Sequence, residues 1–140
     1  MKCSLGTSIL VVATAVAAVS VVVGILIIGS PSEGRLNALD SGRVADLQGI
    51  MGATDLFWSR NERLPRDLAE LAADPRTTLN TVDPGASEPY SYRIVDVDTY
   101  ELCAIFDRDS ATLPGRPLAD FWRHGSGLHC FELEVDKAVR

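Results

Sequence analysis

Residues 90–106 read Tyr90-Ser91-Tyr92-Arg93-Ile94-Val95-Asp96-Val97-Asp98-Thr99-Tyr100-Glu101-Leu102-Cys103-Ala104-Ile105-Phe106. Two alternating runs lie in this stretch. Tyr90, Tyr92 and Ile94 share one side of the first, and Tyr100, Leu102, Ala104 and Phe106 share one side of the second. A period of two is the spacing of a strand with one buried face. Asp96-Val97-Asp98 between the runs turns the chain, so the pair reads as an antiparallel hairpin. A third run, Leu128 to Val135, follows Gly125-Ser126-Gly127 and closes the sheet. Residues 74–89 hold Pro75, Pro84, Gly85 and Pro89, and residues 107–120 hold Pro114 and Pro117; both read as loops.

Upstream of the hairpin the period changes. Val44, Leu47, Ile50, Met51, Thr54, Phe57 and Trp58 fall on one broad helical face. Asp40 or Ser41 suits the start of that helix, and Asn61 with Pro65 suits its end. Gly42, Gly49 and Gly52 fall on the other side beside Ala45, Ala53 and Leu56, and read as tolerated glycine on a solvated face. Each such glycine costs about 1 kcal/mol relative to Ala. A short helix follows, with Leu68 and Leu71 facing inward. A helix laid across a small sheet buries Trp58 and the strand faces together. The expected fold class is therefore α+β: an amphipathic helix on a sheet of about three antiparallel strands, behind an N-terminal transmembrane helix.

That first segment is a different material. Residues 3–32 hold no charged side chain, and Leu5 to Ile28 is an unbroken run of Leu, Ile, Val, Ala, Gly, Ser and Thr. At 1.5 Å per residue such a helix is about 36 Å long, against a hydrocarbon thickness of about 30 Å. A cleaved signal peptide has an apolar run of about 7–15 residues, so a retained anchor is the better reading. Cys3 precedes the run, where a lipoprotein cysteine would follow it. Small residues recur four apart at Ala13 and Ala17 and at Ser20 and Gly24, a spacing that an Ala- and Val-rich helix also gives by chance. The domain plan is thus a cytoplasmic N-terminus at 1–4, a signal-anchor helix at 5–29, and a juxtamembrane linker and helix start at 30–42. An extracytoplasmic domain occupies 43–140. In the linker, Ser30 with Glu33 fits a capping box and Pro31 a first helical position. The helix is expected to be irregular as far as Gly42.

The 140 residues carry a net charge of −6, yet residues 33–140 hold all nineteen acids and twelve of the thirteen bases. An acidic domain without a clustered basic face argues against nucleic acid as a partner. It fits contact with basic envelope proteins. Lys2 on one flank and Arg35 and Arg43 on the other leave orientation weakly encoded. The cysteines weigh more. Cys103 and Cys130 lie in the second and third runs and meet if those strands are neighbours, a distance that sequence does not set. The alternatives are a bridge or two reduced, buried thiols. Two cysteines behind an anchor favour the bridge, and a bridge implies an oxidising compartment, with the C-terminal domain outside the cytoplasm.

Patterns that carry chemistry are sparse. His124 and His129 flank Gly125-Ser126-Gly127 without a metalloprotease pattern; one is expected beside Trp122 and the other on the third strand. As zinc ligands with Cys130 they would need a fourth group, and a bridge would remove that sulfur. Asp96 with Asp98, and Asp107 with Asp109, alternate as calcium ligands do, but no twelve-residue loop with its Gly and bidentate Glu surrounds them. Turn formation explains them better. No catalytic residues, cofactor or metal are expected.

Asn61-Glu62-Arg63-Leu64-Pro65 ahead of Leu68 and Leu71, then Asp83-Pro84 running to Glu88-Pro89-Tyr90-Ser91-Tyr92, resembles the globular region of the major pseudopilins of type II secretion across roughly residues 43–106. Tyr100-Glu101-Leu102-Cys103-Ala104, followed by Trp122, His124, Gly127 and Cys130-Phe131, is similar to uncharacterised bacterial membrane-anchored domains. The first resemblance implies an apolar helix, an amphipathic continuation, a loop and a small antiparallel sheet. The apolar run here holds no Glu and no processed leader motif, and residues 107–120 do not reproduce the pseudopilin calcium loop, so the likeness is one of domain rather than of filament assembly. The expected function is that of a non-enzymatic structural or interaction protein. It would sit in the bacterial inner membrane as a single-pass chain with a periplasmic domain, as part of a secretion-related assembly. The alternative is an envelope ligand-binding or sensing module that uses the Tyr90–Tyr92 and Trp122–His129 regions.

Overall fold

The computed structural model describes residues 5–28, 31–112 and 119–136. The chain divides into two compact units, Met1–Arg35 and Leu36–Arg140. The order of elements is α1 (Leu5–Ile28), α2 (Pro31–Asn61), α3 (Leu68–Ala72), β1 (Ser91–Ile94), β2 (Thr99–Phe106) and β3 (Gly127–Glu134), with single 3-10 turns at Ser110–Thr112 and Asp120–Trp122. The architecture is α+β, as its two hydrophobic periods require.

In the first unit α1 is a helix long and apolar enough to cross a membrane, with a span of Gly6–Ile25 that no part of the protein buries. Two of its hydroxyls are satisfied within the helix: Thr14 donates to the Leu10 carbonyl and Ser20 to the Val16 carbonyl, each at 2.9 Å. Such bonding is what an apolar solvent demands of a polar side chain.

α2 differs from its sequence expectation at the start. It runs unbroken from Pro31 through Gly34 and Gly42, with Pro31 in its first position and Glu33 in its first turn. Asp40 is not a cap; its carboxylate is fully buried and engaged with Arg43 and with backbone beyond β2. Ser30, the other half of the expected capping box, lies outside the described residues. The core face is as the period predicts, with Val44, Leu47, Ile50 and Thr54 buried and Met51, Phe57 and Trp58 half-buried against the same cluster. The supposed opposite strip is interrupted. Ala53 belongs to the core, and Leu79 of the following loop lies 3.9 Å from where a Cβ on Gly49 would stand. α2 ends at Glu62, whose φ of 52° is the left-handed conformation that commonly stops a helix, and whose N–H bonds the Trp58 carbonyl at 2.8 Å. Asp67 then caps α3 by accepting from the Glu70 N–H at 2.7 Å, and Leu68 and Leu71 turn inward.

β1, β2 and β3 form one antiparallel sheet in that order. Tyr100, Leu102, Ala104 and Phe106 of β2 and Phe131 and Leu133 of β3 face the helices, and close the core with Trp122 and Val135. Gly127 enters β3 at φ 94°, a conformation that side-chain-bearing residues rarely adopt. The register places Cys103 directly opposite Cys130 and Ile105 opposite Leu128.

Candidate functional site

Four residues from three distant stretches meet at one guanidinium. Arg43 is buried on the core face of α2, where it donates to Asp40 (2.7 Å), to Asp83 of the long loop (2.8 Å) and to Asp107 just past β2 (2.6 Å). Asp40 also accepts the backbone N–H groups of Asp107 and Arg108. Asp83 accepts those of Gly85 and Ala86. Each buried carboxylate thus bonds both the cation and a loop backbone, as burying charge requires. Burial works against the Arg43 charge, yet the bonds to Asp83, Asp107 and Asp40 outweigh it and raise its pKa. Burial likewise opposes the charge of Asp83, and the bonds from Arg43 and Gly85 hold its carboxyl below its ordinary value all the same. The approach is close. A Cβ on Gly85 would collide with the guanidinium. This cluster pins the 83–88 turn and the end of β2 to α2, and it is a structural clamp by its partners and its burial.

The outer face of the sheet is where the unit opens to its surroundings. Cys103 and Cys130 form a disulfide there, with Cα atoms 4.0 Å apart, so the bridge expected from sequence is present. Cys103 is buried and Cys130 is more open. Beside them Ile105 and Leu128 are 58 % and 70 % exposed, an unusual openness for a cross-strand pair of aliphatics. A cavity of about 180 Å³ lies between this face and the 83–90 loop, with Ala86, Pro89 and Tyr90 on one wall and Cys103, Ile105 and Leu128 on the other. Glu101 comes within 4.8 Å of both sulfurs. The sulfurs are bonded to each other and Glu101 holds Arg93 at 2.8 Å, so the trio offers no thiolate to a metal.

Aromatic residues singled out from sequence are mostly committed inside. Tyr90 donates to Asp46 at 2.8 Å, and Tyr92 donates to the Pro65 carbonyl at 2.9 Å. Burial first, then the Glu70 charge, pushes the Tyr92 phenol up to about 12. Trp122 packs against Phe131 with ring centroids 4.9 Å apart. His124 stacks on Phe106 at 3.6 Å, and its backbone N–H and carbonyl both bond Ser110. Its Nε2 has no hydrogen-bond partner, and burial lowers its pKa against the opposing pull of the Gly125 carbonyl and Asp40. His129 is on β3, with its ring 4.7 Å from Phe131. The paired aspartates make turns: Asp96 accepts from the Val97 N–H and Asp109 from the Ala111 N–H, while Asp107 holds Arg43.

Sequence reasoning passed over the Arg43 cluster. The available signal was phase: Arg43 falls on the same helical stripe as Leu47, Ile50 and Thr54, where a charge needs a buried partner. Comparison with protein-family models, with curated proteins and with solved structures finds no match to this chain.

Proposed function

We propose that this chain is a membrane-anchored, non-enzymatic structural or interaction protein of the bacterial envelope, with a pseudopilin-like domain that acts in the periplasm within a secretion-related assembly. The observation that carries the reading is α1. Its twenty-residue apolar span is wholly unburied by the protein itself, with side chains such as Leu10 and Val16 open along it. Left in water, each such side chain forfeits roughly 1.5–3 kcal/mol relative to burial, so a bilayer is the natural cover. The disulfide supports export of residues 36–140, since such bridges persist in oxidising compartments. The commitment of Tyr90, Tyr92, Trp122 and Arg43 to internal contacts supports a scaffold rather than a reactive centre.

The cavity beside Tyr90 gives the second reading, a ligand-binding or sensing module. At about 180 Å³ it is smaller than the roughly 300–1,000 Å³ usual for small-molecule sites. The test joins topology to neighbours. A reporter fused after Arg140 should be active only in the periplasm, and cross-linking in intact membranes should capture envelope proteins through residues 36–140. A reporter that fluoresces in the cytosol, or a mature chain that begins beyond Ile28, refutes the anchor. Cross-linking that captures no protein, with stabilisation by a metabolite in its place, moves the function to the second reading.

A further inference from the structure

On the outer face of the sheet Glu101, Cys103 and Cys130 each bring a ligand atom within 4.8 Å of the other two, the one such group among the described residues. The register puts them there. Cys103 and Cys130 oppose each other on β2 and β3 with Cα atoms 4.0 Å apart. That is the closer antiparallel spacing, where no ladder bonds join the pair and the side chains stand nearest. Glu101 precedes Cys103 by two residues on β2 and so shares its face. Arg93 of β1, opposite Glu101, donates both of its bonds to Oε2, at 3.1 and 2.8 Å, which leaves Oε1 outside that ion pair. Ligating carboxylates are commonly steadied by a hydrogen bond of this kind. Glu132, directly across from Glu101 on β3, adds negative charge beside the three.

While the bridge is closed, neither sulfur is a thiolate. Eight register pairs, from Thr99 with Glu134 to Phe106 with Gly127, hold β2 against β3 in addition to the bridge. Opening the S–S bond therefore leaves two thiols side by side. Tetrahedral zinc, with Zn–S of about 2.3 Å, needs its sulfurs about 3.8 Å apart. The Cβ atoms of a bridged pair stand about 3.8 Å apart, so parallel Cβ–Sγ bonds place the sulfurs at that distance with the backbone unmoved. Thiolates select zinc over calcium or magnesium. Cys130 is open to solvent, which gives the ion a way in.

We propose that the reduced form of this face binds one zinc ion through Cys103 Sγ, Cys130 Sγ and a Glu101 carboxylate oxygen, with the fourth position left to water or an outside ligand. Bridge and metal are then alternative states of one site. A protein dithiol opens it. One thiolate attacks the Cys130 sulfur and Cys103 leaves as a thiolate; the second thiolate of the reductant then attacks its partner sulfur and displaces Cys130. Two electrons pass to the bridge, and the reductant becomes a disulfide. Zinc takes the place of the thiol protons. A protein disulfide reverses the exchange: it accepts two electrons, the Cys103 and Cys130 sulfurs bond each other, and the ion is expelled. Such a site stands beside the scaffold role of the domain and does not depend on it.

The test uses the full chain in neutral detergent with Cys3→Ser, which removes the thiol outside the site. One sample keeps the bridge; the other is reduced with a phosphine and freed of it under argon. Cobalt(II) is titrated as the probe and then displaced by zinc. The reduced chain should take one cobalt, with sulfur-to-cobalt charge transfer and the visible bands of a tetrahedral ion, and zinc should raise its urea midpoint. The bridged chain should show neither effect. Glu101→Gln should weaken binding at least about tenfold, since losing even the hydrogen-bond partner of a ligand costs about 10–100-fold. Cys130→Ser should lose the tetrahedral spectrum. Glu88→Gln removes an exposed acid outside the trio and should leave the affinity unchanged. Equal uptake by bridged and reduced chains would mean ordinary binding to surface acids, and would overturn the site. So would a reduced chain that unfolds cooperatively yet takes no cobalt, or one without cooperative unfolding, because the ladder would then fail to hold the sulfurs together. Undiminished binding by Glu101→Gln overturns the carboxylate as a ligand.

Discussion

Replacing Arg43 with Met tests how the second unit is held together. The substitution keeps most of the apolar stem and removes the charge that Asp40, Asp83 and Asp107 share. Asp40 and Asp83 stay buried, with only backbone N–H donors. Removing one partner of a buried ion pair costs about 3–5 kcal/mol, chiefly because the other charge is stranded. Arg43→Lys keeps the charge but not the planar fork that serves three carboxylates, and should fall between the wild type and Met. The acid dependence gives the sharper signature. In the native protein Asp83 is held below its ordinary value, so its contribution is present above the unfolded carboxylate pKa of about 3.9 and is lost as pH falls through the lower folded pKa. Without Arg43 the folded pKa of Asp83 rises, the unfolded one does not, and between the two folded values the variant binds more protons when folded. Its deficit relative to wild type should therefore shrink as pH falls below about 5. Urea unfolding of the full chain in detergent, read by tryptophan emission, reports this unit alone because Trp58 and Trp122 are the only tryptophans. A loss below about 1 kcal/mol at pH 7, the range of exposed ion pairs, would refute the clamp. So would a deficit that grows on acidification.

Three further outcomes follow from single features. Cys103→Ala with Cys130→Ala should cost about 3.5 kcal/mol by opening a loop of sequence separation 27, and the denatured oxidised wild type should titrate one thiol, Cys3, against three after reduction. Glu62→Gly should stabilise the unit by about 0.5–1 kcal/mol, because a left-handed φ favours glycine by more than its added unfolded freedom costs; urea midpoints at constant slope would show it. His124 has a pKa lowered chiefly by burial, so charging it favours unfolding as pH drops below about 6.5. His124→Phe should flatten the stability curve from there down to the folded pKa while keeping the stack on Phe106, and an unchanged slope would show that another group titrates.

Local periodicity made much of this architecture legible. The alternation at Tyr100, Leu102, Ala104 and Phe106 and the helical stripe from Val44 to Trp58 are each imposed by one buried face, and each appears in place. The register was not legible: a bridge between Cys103 and Cys130 brings two strands near each other without setting which residues pair. Contacts that cross long stretches left no local pattern. Asp83 and Asp107 reach Arg43 across forty and sixty-four residues, and nothing near either aspartate separates a buried partner from a turn former. The start of α2 was misread for the same reason. Asp40 resembles a helix cap, but its tertiary bonds to Asp107 and Arg108 take the carboxylate into the interior and let the helix run past it.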